Sequence, residues 1–166
     1  MGLRRRSVLA AGVLPTLLVG CGFALRRAPE LRFRTIRLTG FAQRSSLSAE
    51  LTRQIDASAT TRVVEAAKDA EVVLRVDEDA REKSVVATTA AGQVREFELR
   101  ARFRFAVLSA SGRELLGPSE ILLRRNLTYT ETAALAKEEE EAFLFRAMQT
   151  DIVSQVLRRL ASIGPV

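Results

Sequence analysis

The sequence predicts a single α+β domain in which two helices pack on one face of a four-stranded sheet, mainly antiparallel or mixed. Apolar and charged residues alternate through Phe97–Val107, which is typical of a strand with one packed and one solvated face. Apolar residues recur every three or four positions in Leu47–Ile55 and in Phe145–Leu160, as on amphipathic helices. The order strand, helix, three strands, helix favours both helices lying on the same side of the sheet.

The other strands have less regular patterns. Residues Phe33–Thr39 alternate imperfectly and predict a short first strand. Alternation returns at Val72, and we expect the chain to bend at the charged run Asp79–Lys83 before a second β-favouring stretch, Ser84–Thr89. A last strand is predicted over Ile121–Thr130, where one face carries both apolar and charged residues, and this mixture indicates a bulge.

Both helices carry recognisable end signals. Ser45 precedes the first apolar stripe and is a suitable N-cap for a helix that ends near Asp56. The second helix is predicted to open at Glu131–Thr132 and to stop at Gly164–Pro165. The acidic run Glu138–Glu141 suits the positive end of the helix dipole, and we interpret it as a solvated helix face rather than a metal site.

The first twenty residues have the order of a bacterial export signal. Arg4–Arg6 precede an apolar run of 12 residues, Val8–Val19, whereas a helix that spans a bilayer needs about 20. The run closes on Leu18-Val19-Gly20-Cys21, which resembles the lipobox where lipoprotein precursors are cleaved and lipidated. Cys21 is the only cysteine, so an internal disulfide is excluded and a lipid-bearing N-terminus is favoured.

These signals divide the chain into residues 1–20 as a lipoprotein signal peptide, 21–30 as a lipidated tether and 31–163 as one domain. The alternative is an ordinary secretory signal with a cysteine nearby by chance. Arg5-Arg6 also fits a twin-arginine export signal, although consecutive arginines are equally normal in a plain leader. The eight residues of Gly22–Pro29 reach at most about 29 Å when extended, so a partner must lie close to the same membrane surface.

The charge of the mature chain is mildly basic. The full chain carries +6, and the leader holds three arginines and no acidic residue, which leaves 6 − 3 = +3. Together with export, this small excess argues against a nucleic-acid partner. It supports at most a modest preference for an anionic partner, such as a phosphorylated lipid surface.

The composition excludes most kinds of catalytic site. The sequence has no histidine, which excludes histidine-dependent triads and the usual zinc and copper sites. The one thiol belongs to the lipobox, and neither a nucleophile elbow nor a phosphate-binding glycine loop is present. We therefore expect a protein that is not an enzyme and needs neither a cofactor nor a metal ion.

Three arginines form a candidate anion-binding ladder. Arg100, Arg102 and Arg104 alternate along the clearest strand, so they project from one face about 7 Å apart. This ladder could clamp lipid phosphates. Alternatively, it is a solvated sheet face whose cations pair with cross-strand acids such as Glu96 and Glu98.

Several segments of the mature chain together resemble the LptE family of lipopolysaccharide-assembly lipoproteins. They are Cys21-Gly22-Phe23-x-Leu25-Arg26 after the lipobox, Tyr129-x-Glu131-x-x-Ala134-Leu135-Ala136-Lys137-x-Glu139, and Gln155-Val156-Leu157-Arg158-Arg159-Leu160. The resemblance extends over essentially the whole mature chain, and the order of strands and helices agrees with it.

The resemblance implies a lipid-anchored protein of the outer membrane that faces the periplasm and plugs the lumen of the large β-barrel LptD. There it would help the barrel assemble and assist the delivery of lipopolysaccharide to the cell surface. Gly22 after the cysteine, in place of the aspartate associated with inner-membrane retention, agrees with this location. The rival hypothesis is a free-standing periplasmic lipoprotein that binds a small lipid or peptide between its helices and its sheet.

The resemblance also implies residues that contact lipopolysaccharide. Lys137 matches a basic position that the family is thought to present to this ligand. A second basic position of the family falls at a hairpin turn, which here is Ala90-Ala91 with Arg95 nearby. The candidate lipopolysaccharide-binding residues are therefore Lys137, Arg95 and the ladder of Arg100, Arg102 and Arg104.

Overall fold

The computed structural model describes residues 30–165. The predicted signal peptide, the predicted lipidation site Cys21 and the predicted tether up to Pro29 lie outside the described residues. The elements, in chain order, are β1 (Thr35–Thr39), α1 (Ser46–Asp56), β2 (Arg62–Val63), β3 (Val72–Thr88), β4 (Val94–Ser109), β5 (Glu114–Thr128) and α2 (Ala134–Ala161). Short 3₁₀ turns at Ala67–Asp69 and Glu131–Ala133 precede β3 and α2.

The strands form one mixed sheet in the order β2-β1-β3-β4-β5. Strand β1 is parallel to both β2 and β3, whereas β3, β4 and β5 are antiparallel neighbours. The prediction of four strands was wrong, because β2 adds a fifth. Only two residues, Arg62 and Val63, form β2, and so short a strand leaves no alternation that a sequence could display.

The charged run in β3 is not a bend. Asp79–Lys83 continues the strand and pairs with β4, with Asp79 opposite Phe103 and Lys83 opposite Leu99. The one irregularity in this part of the ladder is a register shift between Val76 and Glu78. Long charged side chains are accommodated here because their aliphatic stems lie along apolar surface while their charged ends stay near solvent.

Strand β5 includes the residues around Gly117–Pro118 that the sequence did not assign to a strand. Its register with β4 shifts between Ser119, opposite Phe105, and Leu116, opposite Val107. The predicted bulge therefore exists, but it lies before Ile121 rather than within Ile121–Thr130. Proline is tolerated there because β5 is an edge strand.

The two helices begin and end close to their predicted positions. The Ser45 side chain caps α1 by accepting a hydrogen bond from the Ser48 N–H at 3.2 Å, as predicted. Helix α2 begins at Ala134, three residues after the predicted opening, because Glu131–Ala133 form a 3₁₀ turn. Its C-terminal boundary at Ala161 precedes the predicted stop signal.

The hydrophobic core lies between the helices and one face of the sheet, as predicted. Leu99, Phe103 and Phe105 of β4 are fully buried against α2 residues such as Met148 and Leu160. The other face of the sheet, here called the open face, has no helix on it among the described residues. Within residues 30–165, no helix combines the length and the apolarity needed to cross a membrane.

The long strands give the sheet two distant ends. Strand β3 has 17 residues and therefore measures about 56 Å at about 3.3 Å per residue. It starts beside β1, near the first described residues, and it ends at the hairpin turn after Thr88. We call these the anchor end, formed by Leu31–Thr35 and Ala59–Arg62, and the tip, formed by Thr88–Val94, Tyr129 and the first turns of α2.

Candidate functional site

Lys137 lies at the tip, on the first turn of α2. The turn Glu131–Ala133 directs the chain from the end of β5 into the helix, which brings Lys137 back over the last residues of the sheet. Its ammonium donates to the Thr128 hydroxyl at 3.2 Å and to the Glu140 carboxylate at 2.8 Å. A lysine ammonium has three donors, so one N–H remains for an external acceptor.

A second lysine, Lys83, shares this site and was not predicted. Its ammonium lies 2.5 Å from the Glu141 carboxylate and 4.2 Å from the centre of the Phe97 ring. Phe97 meets Tyr129 edge to face, with ring centres 5.3 Å apart. Lys83 and Lys137 together line a small cavity of about 110 Å³ that also contacts Phe97 and Tyr129.

Lys83 was not recognised from the sequence because we predicted a bend at Asp79–Lys83. As a bend residue it would be solvated, whereas in a continuous β3 it takes the same face as Val85 and points toward α2. The signal that could have found it is register: counting in twos back from Val85 places both Lys83 and Arg81 on the helix side. Arg81 indeed lies 5.7 Å from the centre of the Phe145 ring.

Arg95 is at the tip as well. Its side chain is exposed, and its main-chain oxygen accepts a hydrogen bond from the Tyr129 N–H at 2.8 Å. Arg95 and Tyr129 line a neighbouring cavity of about 210 Å³ beside the hairpin turn. The fold therefore places Arg95 and Lys137 at two neighbouring cavities that share Tyr129, although 42 positions separate them in the sequence (137 − 95 = 42).

The arginine ladder lies elsewhere, on the open face. Arg100, Arg102 and Arg104 alternate with the buried residues of β4, so the sheet separates them from Lys137. The Arg104 guanidinium is 2.7 Å from the Glu78 carboxylate and that of Arg102 is 4.0 Å from it, while Arg100 pairs with Glu98 at 2.5 Å. The cross-strand acid is thus Glu78 of β3, and Glu98 pairs within its own strand.

These ion pairs limit how readily the ladder can bind an anion. The three side chains are 36%, 36% and 52% exposed, so their ion pairs are screened by solvent and hold the guanidinium groups only weakly. The Nε atom of Arg102 is buried without a hydrogen-bond partner. The ladder is paired with acids, but the predicted partners were wrong in part, because Glu96 accepts from Asn126 instead and Glu98 is not across the strand pair. An anionic ligand on the open face would have to compete with Glu78 and Glu98.

Large apolar side chains are exposed at the tip and next to it. Leu135 and Phe143 of α2 are 75% and 62% exposed, and Val85 and Val86 of β3 are about half exposed. Exposed apolar groups beside cations make the tip amphipathic. Such a surface suits a ligand or partner that combines an anionic group with apolar area.

The comparisons with known proteins agree with this fold. A family model described as "LptE: Lipopolysaccharide-assembly" matches residues 33–160. A solution structure of an uncharacterized lipoprotein B from Nitrosomonas europaea superposes with a TM-score of 0.72 at 34% identity, covering 85% of this chain and 91% of that one. No curated protein matches the sequence significantly.

Two crystal structures extend the comparison. The rare lipoprotein B from Shewanella oneidensis has a TM-score of 0.66 at 28% identity and covers 78% of this chain and 95% of its own. A minor lipoprotein from Acinetobacter baumannii, with a TM-score of 0.65 at 20% identity, covers 80% of this chain and 94% of its own, and it shares the fold. Because the family model spans most of the chain, and a structure at 34% identity covers 85% of it, the chain belongs to the LptE lipopolysaccharide-assembly family.

Proposed function

We propose that this protein is a lipid-anchored lipoprotein of the outer membrane that occupies the lumen of an LptD-type β-barrel and assists lipopolysaccharide delivery. The observation that carries the proposal is the match of the lipopolysaccharide-assembly family to residues 33–160, which includes every strand and nearly all of α2. In this role the protein is a structural and binding component, and it catalyses no reaction.

The shape of the molecule supports an axial position in a barrel. The sheet is about 56 Å long, whereas the hydrocarbon core of a bilayer is about 30 Å thick. The described residues begin at one end of the sheet, and Lys137, Lys83 and Arg95 lie at the other. A protein anchored to the periplasmic leaflet through Cys21 can therefore extend its tip through the barrel lumen toward the far side of the membrane.

The chemistry of the tip supports contact with lipopolysaccharide, a ligand with phosphates and acyl chains. Lys137 has one free N–H, and the exposed Arg95 supplies a second cation on the other side of Tyr129. Exposed Leu135 and Phe143 supply apolar area. Arg100, Arg102 and Arg104 are weaker candidates, since they lie on the open face, away from the exposed Leu135 and Phe143 of α2.

The rival hypothesis, a small ligand bound between helices and sheet, has less support. That space contains a continuous cluster of fully buried side chains, including Phe103, Phe105 and Met148. Close packing of this kind leaves little room for a ligand. Native mass spectrometry of the delipidated protein separates the hypotheses, because a small molecule retained through purification would favour the rival.

The orientation can be tested by photo-crosslinking in living cells. We expect a photoreactive residue at Phe143, on the exposed tip of α2, to crosslink to the barrel protein, because the tip would lie inside the lumen. Lys68, exposed near the anchor end, provides a matched position where crosslinks should instead reach periplasmic or membrane-proximal parts. A Phe143 crosslink to soluble periplasmic proteins alone would contradict the proposal.

A further inference from the structure

The anchor end carries a groove that the proposed function does not use. Its walls are the segment Leu31–Thr35, which leads into β1, and the segment Ala59–Arg62, which leads into β2. The groove encloses about 630 Å³ and is open to solvent. It is large enough for the phosphate and glycerol portion of a phospholipid headgroup.

Main-chain and side-chain hydrogen bonds hold the two walls together. The buried Thr61 hydroxyl donates to the Phe33 carbonyl at 2.6 Å, and the Arg62 N–H donates to the Arg34 carbonyl at 2.9 Å. Leu31 and Phe33 are buried, which anchors the first wall to the core. The groove is therefore preformed, and ligand binding would not require its backbone to become ordered.

Three arginines project from these walls. Arg32 and Arg34 are exposed beside the buried Leu31 and Phe33, and Arg62 lines the groove from the second wall. All three side chains are exposed, and among residues 30–165 none of their guanidinium groups lies within ion-pair distance of a carboxylate. They differ in this respect from the ladder of the open face, in which each arginine has an acidic partner.

Two carboxylates near the groove accept hydrogen bonds from main-chain N–H groups rather than from the arginine side chains. Glu71 accepts a hydrogen bond from the Arg34 N–H at 2.7 Å, and Asp56 accepts one from the Val63 N–H at 2.9 Å. Glu30, the first residue described, is the remaining acid next to the first wall. Within the described residues, the guanidinium groups of Arg32, Arg34 and Arg62 are therefore left without an ion pair, and the exposed Thr60 beside them carries a hydroxyl that can donate to a phosphate oxygen.

The sequence places this groove next to the membrane. Only the eight residues Gly22–Pro29, which include Arg26 and Arg27, separate the lipidation site from Glu30, so the groove lies within about 29 Å of the anchored lipid. Cationic residues beside a lipid anchor are attracted to anionic lipids within a Debye length of the surface. This step rests on the lipidated Cys21 of the proposed function.

We propose that the groove of Arg32, Arg34 and Arg62 binds the phosphate of anionic phospholipids in the leaflet that holds the anchor. A guanidinium group recognises phosphate through paired N–H donors, so three of them around one groove give a site for this chemistry. Contact with the leaflet holds the anchor end against the membrane and thereby fixes the direction in which the tip projects. The site is separate from the tip and requires neither the barrel nor lipopolysaccharide.

The proposal can be tested by vesicle binding of the mature chain from residue 21 with Cys21→Ser, which removes the anchor and leaves the groove. The vesicles are phosphatidylethanolamine with about one quarter phosphatidylglycerol, and they contain no lipopolysaccharide. We expect binding to these vesicles that weakens as salt is raised, and little binding to phosphatidylcholine vesicles. The double substitution Arg32→Gln/Arg62→Gln should weaken binding about 25-fold, at about fivefold for each cation near the surface.

The matched control is Arg124→Gln/Arg146→Gln. It removes the same charge from two exposed arginines in the middle of β5 and on α2, away from the groove. Equal weakening by both double variants, or equal binding to neutral and anionic vesicles, would overturn the proposal. Full competition by millimolar glycerol phosphate would also overturn it, because it would indicate a site for free phosphate rather than for a membrane surface. None of these outcomes would change copurification with a barrel. Failure of the groove proposal can therefore be distinguished from failure of the proposed function.

Discussion

Replacing Lys137 with aspartate is the sharpest perturbation of the tip. In the structure the ammonium donates to Thr128 and Glu140, and the same residue lines the small cavity with Lys83. The substitution removes both bonds and places a carboxylate beside Glu140 and Glu141, which already carry negative charge. It therefore reverses the charge available to a phosphate without touching the core.

The expected cost to stability is small. The ion pair of Lys137 with Glu140 spans one helical turn and is partly exposed, so its loss costs about 0.5 kcal/mol. An acidic residue in the first turn of α2 interacts favourably with the helix dipole and offsets part of this cost. A charge-assisted hydrogen bond to phosphate contributes about 1.5–3 kcal/mol, so affinity for lipopolysaccharide should fall about 10-fold to 150-fold.

The assay compares lipopolysaccharide binding by the wild-type protein and two variants of equal charge change. Lys68→Asp is the control, because Lys68 is exposed in the turn Ala67–Asp69 near the anchor end. We expect Lys137→Asp to lose affinity while retaining barrel association, and Lys68→Asp to keep both. Unchanged binding by Lys137→Asp, or an equal loss in both variants, would refute the role assigned to Lys137.

Three further predictions concern the scaffold and are checked by chemical or thermal unfolding. Gly40→Ala should lower the free energy of unfolding by at least about 2 kcal/mol, because Gly40 has a φ of 83° and an added Cβ would lie 2.1 Å from the Val76 oxygen. The control Gly92→Ala should lower it clearly less, because Gly92 has a φ of 79° but open space around it. Phe103→Ala should lose about 3–5 kcal/mol, since a fully buried ring is removed, and an unchanged midpoint would contradict the core assignment. Ser45→Ala should lose about 1 kcal/mol with the N-cap of α1, and no loss would mean that this cap does not stabilise the helix.

Regular patterns in the sequence predicted most of the fold. The strict alternation through Phe97–Val107 and the apolar stripe ending at Leu160 identified β4 and α2 because burial repeats over many residues. Strand β2 was missed, since two residues cannot display a period and its hydrogen bonds depend on a distant segment. The continuity of β3 was missed because charged residues at Asp79–Lys83 interrupt the apolar alternation. In the structure, Arg81 and Lys83 lie over the rings of Phe145 and Phe97 and so keep the alternation of faces.

The candidate site was predicted less completely than the fold. Lys137 and Arg95 were named from a resemblance, and the structure explains their proximity through the Tyr129 main chain. Identifying Lys83 required the register of β3, which could not be determined from the sequence alone. Similarly, Glu78 is the partner of Arg104 because the bulge in β3 shifts the pairing after Val76, and a shift of one residue changes every cross-strand neighbour.

We propose above all that this lipoprotein functions inside a large outer-membrane barrel. The most direct measurement is affinity purification of the tagged, lipidated protein from envelope membranes in mild detergent, followed by determination of mass and composition. We expect a stable complex containing one copy of this chain and one LptD-type barrel. Recovery of the protein as a monomer without a barrel partner would contradict the claim.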